Sequence, residues 1–111
     1  MGKGAFLGEF EQMVLLAILR LADNAYGMTI RQEIESRTDR NVTIGAIYAA
    51  LERLSTKGYL RSSVSGPEPI RGGRTKRTYR LTSTGGKALA HSRAMMAKMA
   101  DGLATDDLGT A

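Results

Sequence analysis

A chain of 111 residues builds one small domain, whose modest core gains from burial against a partner. The absence of cysteine excludes disulfide frameworks, thiolate metal sites and cysteine nucleophiles together. A net charge of +5 permits a polyanionic partner, and its distribution is uneven: residues 53–80 hold eight Lys/Arg against one Asp/Glu, while residues 1–52 hold five against seven and residues 81–111 three against three.

The first periodic stretch, residues 9–21, places Phe10, Met13, Val14, Ala17, Ile18 and Leu21 at three- and four-residue steps, the pattern of an amphipathic helix. Turn formers follow in Asp23-Asn24-Ala25-Tyr26-Gly27. A second helix runs through Met28, Ile30 and Ile34 and ends near Arg37. Asp39-Arg40-Asn41 breaks the pattern again, and Thr43 stands where an N-cap hydroxyl would satisfy free backbone donors ahead of a third helix reaching about Thr56. Lys57-Gly58 reads as its end, since lysine complements the dipole and glycine accepts the left-handed cap.

The chain then turns extended. Residues 59–64 are one strand candidate and residues 75–81 a better one; the loop between them holds both prolines and three glycines, a composition compatible with a hairpin. From Thr82 a last helix begins, with Leu89, Ser92, Met96, Met99 and Leu103 on a narrow stripe read as a dimer interface. The expected fold is mainly α (α+β): a winged helix-turn-helix with a two-stranded β-wing and a C-terminal dimerisation helix. The corresponding division is a DNA-binding domain over 1–81, the dimerisation helix over 82–103 and a flexible tail over 104–111.

On the third helix, Ile44, Ile47, Leu51 and Leu54 form the apolar side, which leaves Thr43, Gly45, Ala46, Tyr48, Ala49, Glu52 and Arg53 opposite. The major groove admits one α-helix, provided it can come close. Small residues at 45, 46 and 49 give this helix a low face, while Thr43 and Tyr48 supply hydroxyls for phosphates or bases. Arg53 and Lys57 add charge at its end. Arg71, Arg74, Lys76 and Arg77 gather around Gly72-Gly73, where a flexible tip can follow a phosphate backbone or minor groove. A solvated charged face, or cations that merely blunt an exposed β edge, is the plainer alternative.

These residues resemble the PadR-like family of transcriptional regulators, in particular its short members with one helix after the wing. The carriers are Leu7-Gly8, Tyr26-Gly27, Thr43-Ile44-Gly45-Ala46-Ile47-Tyr48, Leu51-Glu52-Arg53-Leu54, Lys57-Gly58-Tyr59-Leu60, and the run from Gly72-Gly73-Arg74 to Tyr79-Arg80-Leu81-Thr82. The resemblance implies a homodimer that binds palindromic operators, usually as a repressor and often in response to a small effector. Two departures stand out: Ile44 and Ala49 occupy positions where the family commonly has proline, and the chain lacks the tryptophan that some short relatives use to stack on flat drugs. No particular effector is therefore expected.

Enzymatic chemistry finds no support. The only histidine, His91, has no nucleophile motif around it, and Thr84-Gly85-Gly86-Lys87 fails as a phosphate loop because Leu81 and Ala88 replace required residues. Gly85 reads instead as a point of close packing. No metal or cofactor is expected. The longest apolar run, residues 13–19, is too short to span a membrane and no export signal is evident, so the expected location is cytoplasmic and the partners are double-stranded DNA and a second copy of the chain. A winged-helix protein-interaction adaptor is the main alternative, and RNA binding ranks below it.

Overall fold

The computed structural model describes residues 6–64 and 76–109. In chain order the main elements are α1 (Glu9–Leu21), α2 (Gly27–Thr38), α3 (Ile44–Thr56), β1 (Leu60–Val64), β2 (Arg77–Leu81) and α4 (Ser83–Ala100). This is the mainly helical, winged arrangement that the sequence predicts, and β1 and β2 form its antiparallel two-stranded sheet, with Leu60 opposite Leu81 and Val64 opposite Arg77.

Local chemistry sets the boundaries. Thr43 Oγ1 accepts the Ala46 N–H at 3.0 Å, so α3 starts on a hydroxyl cap without the family's usual proline. At its other end Gly58 adopts a φ of +82°, the Gly58 amide donates to the Ser55 carbonyl and the Tyr59 amide to the Leu54 carbonyl at 2.9 Å. That pair of bonds is a Schellman motif. It holds Tyr59 in the helix cap, which is why β1 begins one residue later than the pattern alone suggests.

Val14, Leu15, Ile30, Ile47, Leu51 and Leu54 are the largest fully buried side chains, at the junction of the three helices. Leu15 lies off the three- and four-residue spacing of α1. It is buried because α1 packs against α2, α3 and β2, a wider arc than one amphipathic stripe covers. The Tyr79 amide donates to the Ala25 carbonyl at 2.9 Å, and Arg80 pairs with Asp23, so β2 is attached to the segment after α1.

The start of α4 is built around Thr82. Its amide donates to the Tyr59 carbonyl at 3.0 Å, its hydroxyl donates to the Gly58 carbonyl at 2.6 Å, and the same oxygen accepts the Gly85 amide at 3.0 Å. A Cβ on Gly85 would stand 2.1 Å from the Tyr59 carbonyl oxygen, so the expected close packing is a backbone-to-backbone approach. Farther along, Ser92 Oγ accepts the Leu7 amide at 2.9 Å, and Gln12 Nε2 donates to the Leu7 carbonyl at the same distance.

The stripe on α4 read as a dimer interface is therefore divided. Leu89 and Ser92 are buried within the chain's own domain, whereas Met96 (66% exposed), Met99 (78%) and Leu103 (51%) are open; Leu103 is moreover off the helix, which ends at Ala100 and not at 103, because Asp101 is extended and Gly102 takes a left-handed φ of +85°. A narrow seam and a helix packed on its own domain look alike in sequence, and here the first half of the stripe is the latter. In the expected tail, Thr105–Leu108 form a 3-10 turn in which Asp107 accepts the Ala104 amide. Among the described residues no helix is long and apolar enough to cross a membrane.

Glu11 joins α1 to the end of α3: one carboxylate oxygen lies 3.4 Å from Arg53 Nε and 3.5 Å from Lys57 Nζ, and the other accepts the Gly8 amide. Burial raises the pKa of this carboxyl, but the Gly8 amide, the Lys57 charge and the hydrogen bonds from Arg53 and Lys57 outweigh it, leaving the pKa below its ordinary value.

Two outcomes follow. Gly85→Ala lowers stability by about 3 kcal/mol, since the obstructing atom is backbone and cannot swing away; thermal unfolding reads this as a lowered Tm. A depressed carboxyl pKa contributes stability that is present above the unfolded value and lost as pH falls through the folded one. Glu11→Gln therefore lowers stability at pH 7 and weakens the fall in stability below about pH 4.3, measured by urea unfolding across pH.

Candidate nucleic-acid interface

Helix α3 buries Ile47, Ala50, Leu51 and Leu54, and this packing turns Gly45, Ala49, Glu52 and Thr56 outward. Nothing lies within 4 Å of where a Gly45 Cβ would stand. The exposed ridge is consequently low along the first turns, as close approach to a groove floor requires.

The two flanks of that ridge differ. On one side Tyr48, 53% exposed, lies across the start of α2, its ring against Gly27. On the other, Arg53 and Lys57 lean toward α1, where Glu11 accepts from both. Those two cations are thus partly neutralised within the protein. Thr43, Ala46 and Ala49 are exposed, although the Thr43 oxygen already accepts the Ala46 amide as a cap.

Beside Tyr48 the sheet supplies two more of the expected cations. Lys76 Nζ sits 4.5 Å from the centre of the Tyr26 ring, a cation–π arrangement, and Arg77 donates to Ser62 Oγ across the hairpin at 2.9 Å. A cleft of about 490 Å³ opens between the two groups, bordered by Tyr26, Gly27, Tyr48, Lys76, Arg77 and Tyr79. Burial raises the pKa of the Tyr79 phenol in its wall, outweighing the lowering effect of Arg77. Arg71 and Arg74, expected at the wing tip, lie outside the described residues.

Of the residues predicted from sequence, the structure brings Thr43, Gly45, Ala46, Tyr48 and Ala49 onto the exposed surface of α3, with Lys76 and Arg77 next to Tyr48. Arg53 and Lys57 are set apart on the opposite flank. Pattern reading gave Tyr26 and Gly27 only a role in the turn before α2 and no part in the site; their further signal was the Tyr-Gly pair in the family resemblance. Glu11 had no local signal either, since its cations lie 42 and 46 residues away.

Comparison with known proteins gives a consistent assignment. The family model described as "Transcriptional regulator PadR-like family" matches residues 15–91. No functionally curated protein matches the chain. Among solved structures, a PadR family transcription regulator from Clostridium difficile R20291 is similar at 23% identity with a TM-score of 0.67, covering 85% of this chain and 96% of that one. A transcriptional regulator from Thermoplasma acidophilum has 24% identity and a TM-score of 0.65, covering 89% and 92%. A PadR-like transcription factor from Bacteroides fragilis has 23% identity and a TM-score of 0.66, covering 81% and 82%. These likenesses support the fold. With a low-faced third helix, an adjoining basic hairpin and a family match across more than half of its length, the chain belongs to the PadR-like family of DNA-binding transcriptional regulators.

Proposed function

We propose that the protein acts in the cytoplasm as a homodimeric repressor of a palindromic operator, with α3 in the major groove and the wing on the neighbouring backbone. The observation that carries this reading is the exposed side of α3: a low ridge at Gly45 and Ala49, flanked by a phenol at Tyr48 with Lys76 and Arg77 beside it. Hydroxyls and cations at such an edge contact phosphates and fix register, while the low ridge lets the helix reach base edges. Arg71 and Arg74 extend the same role along the wing by sequence.

Dimerisation is assigned to the free part of the C-terminal helix, within the division into a winged domain over 1–81 and a dimerisation segment over 82–103 whose helix ends at Ala100. Met96 and Met99 are apolar, exposed and spaced for one face of the helix, and Leu103, also exposed, follows just after the helix end. Methionines adapt their shape to a facing surface, and two recognition helices must span about one duplex turn, roughly 34 Å, to read two half-sites. Relief by a small effector belongs to this reading through family membership; no residue of this chain specifies the ligand, and no enzymatic activity is part of it.

Fluorescence anisotropy with DNA from upstream of the protein's own gene, against scrambled DNA across a salt series, tests the reading. Preferential binding that falls steeply with salt is expected. Equal or absent binding to both DNAs would instead favour a protein-interaction adaptor. In the same assay Tyr48→Phe weakens operator binding severalfold through a lost hydroxyl contact. Arg74→Ala with Lys76→Ala weakens operator and scrambled DNA alike and lowers the salt slope by about 2. Met96→Glu with Met99→Glu converts the dimer to a monomer by sedimentation and leaves only poor binding to a half-site; an undisturbed dimer would place the interface elsewhere.

A further inference from the structure

Gly27 opens α2 without a left-handed φ, so the backbone there would accept alanine, a better helix former. What the space will not accept is a side chain. A Cβ built on Gly27 would stand 2.7 Å from both Cζ and the hydroxyl oxygen of Tyr48 and 2.8 Å from its Cε1, all inside van der Waals contact. The glycine is thus a seat for the far end of a phenol carried by another helix. Gly27 is itself buried, while Tyr48 remains 53% exposed, so the contact covers one part of the ring and leaves the rest open.

An exposed tyrosine on a helix normally shares its population among rotamers, and fixing one costs entropy at the moment of binding. Lying on Gly27 selects one orientation in advance. That orientation brings the ring to the cleft bordered by Lys76 and Arg77. A phenol and two cations bordering one cleft make a set suited to an anionic group, such as a phosphate of a duplex backbone.

We propose that Gly27 is a positioning residue for DNA binding: its missing Cβ holds the Tyr48 phenol in the orientation that meets the DNA. The inference rests on the DNA-binding reading above. Because the obstructing atoms are the tip of a flexible, exposed side chain, alanine at 27 displaces the phenol and leaves the core in place. This distinguishes it from Gly85, whose obstructing atom is backbone.

The test is a double-mutant cycle on the full-length protein, with Gly27→Ala, Tyr48→Ala and the pair, each measured by anisotropy on the footprinted operator and by thermal unfolding. Gly27→Ala is expected to weaken operator binding about fivefold to tenfold while Tm stays level or rises. In the Tyr48→Ala background the same change is expected to cost nothing further. NMR supplies a readout without DNA: an NOE between the Gly27 Hα protons and the Tyr48 ring is expected in the wild type and lost in Gly27→Ala. Full affinity in Gly27→Ala, or an equal loss with and without the Tyr48 ring, would overturn the inference while leaving DNA binding by the wild type intact. Wild-type protein that discriminates no DNA would overturn the functional reading itself, and this inference with it.

Discussion

The approach of Gly85 to the Tyr59 carbonyl is the constraint on which the other elements depend. Two segments distant in sequence meet there: the Schellman turn that ends α3 and runs straight into the hairpin, and the first turn of α4. Thr82 bonds to Gly58, Tyr59 and Gly85 in turn, so the exit of one strand and the entry of the long helix share a single set of hydrogen bonds. Since β1 leaves this point and β2 returns to it, the pairing of Leu60 with Leu81 is determined before the wing is reached. A side chain at position 85 would separate the two and disturb the hairpin that leaves from the first.

The surface that this frame presents is more economical in charge than a count of cations implies. The middle of the chain carries a large positive excess, yet Arg53 and Lys57 are held by Glu11 and Arg80 by Asp23. Exposed pairs of this kind contribute little to stability, but they lower the local field and direct each guanidinium. Lys76 lies over the Tyr26 ring and Arg77 bonds to Ser62. Of these cations, Lys76 and Arg77 thus stand on the Tyr48 flank of α3, while those of the other flank face Glu11.

Much of this was legible in the sequence, for identifiable reasons. Helix ends were readable where a single residue does the capping, as with the Thr43 hydroxyl and the left-handed Gly58. Apolar periodicity found the inner face of α3 and, in Ile30 and Ile34, that of α2, but it wrongly included Met28, which is exposed, and understated α1, where Leu15 is buried by neighbours that no local pattern describes. Contacts across long sequence separations were not readable. Glu11 with Lys57, Ser92 with Leu7 and Gly27 with Tyr48 each join residues whose local contexts are unremarkable alone. The stripe on α4 shows the limit most directly, because spacing identifies an apolar face and says nothing about which surface covers it.

The bond between Ser92 and Leu7 marks a fulcrum. Behind it, α4 is fastened to its own domain; beyond it, residues 93–100 continue as helix for about 12 Å. In an assembly joined through that free end, the overhang acts as a rigid spar carrying a reading head at its base. Changing the pitch of the spar by a few degrees would swing each head through a much larger arc, so the spacing of bound sites becomes a property of one serine's hold on the amino-terminal segment.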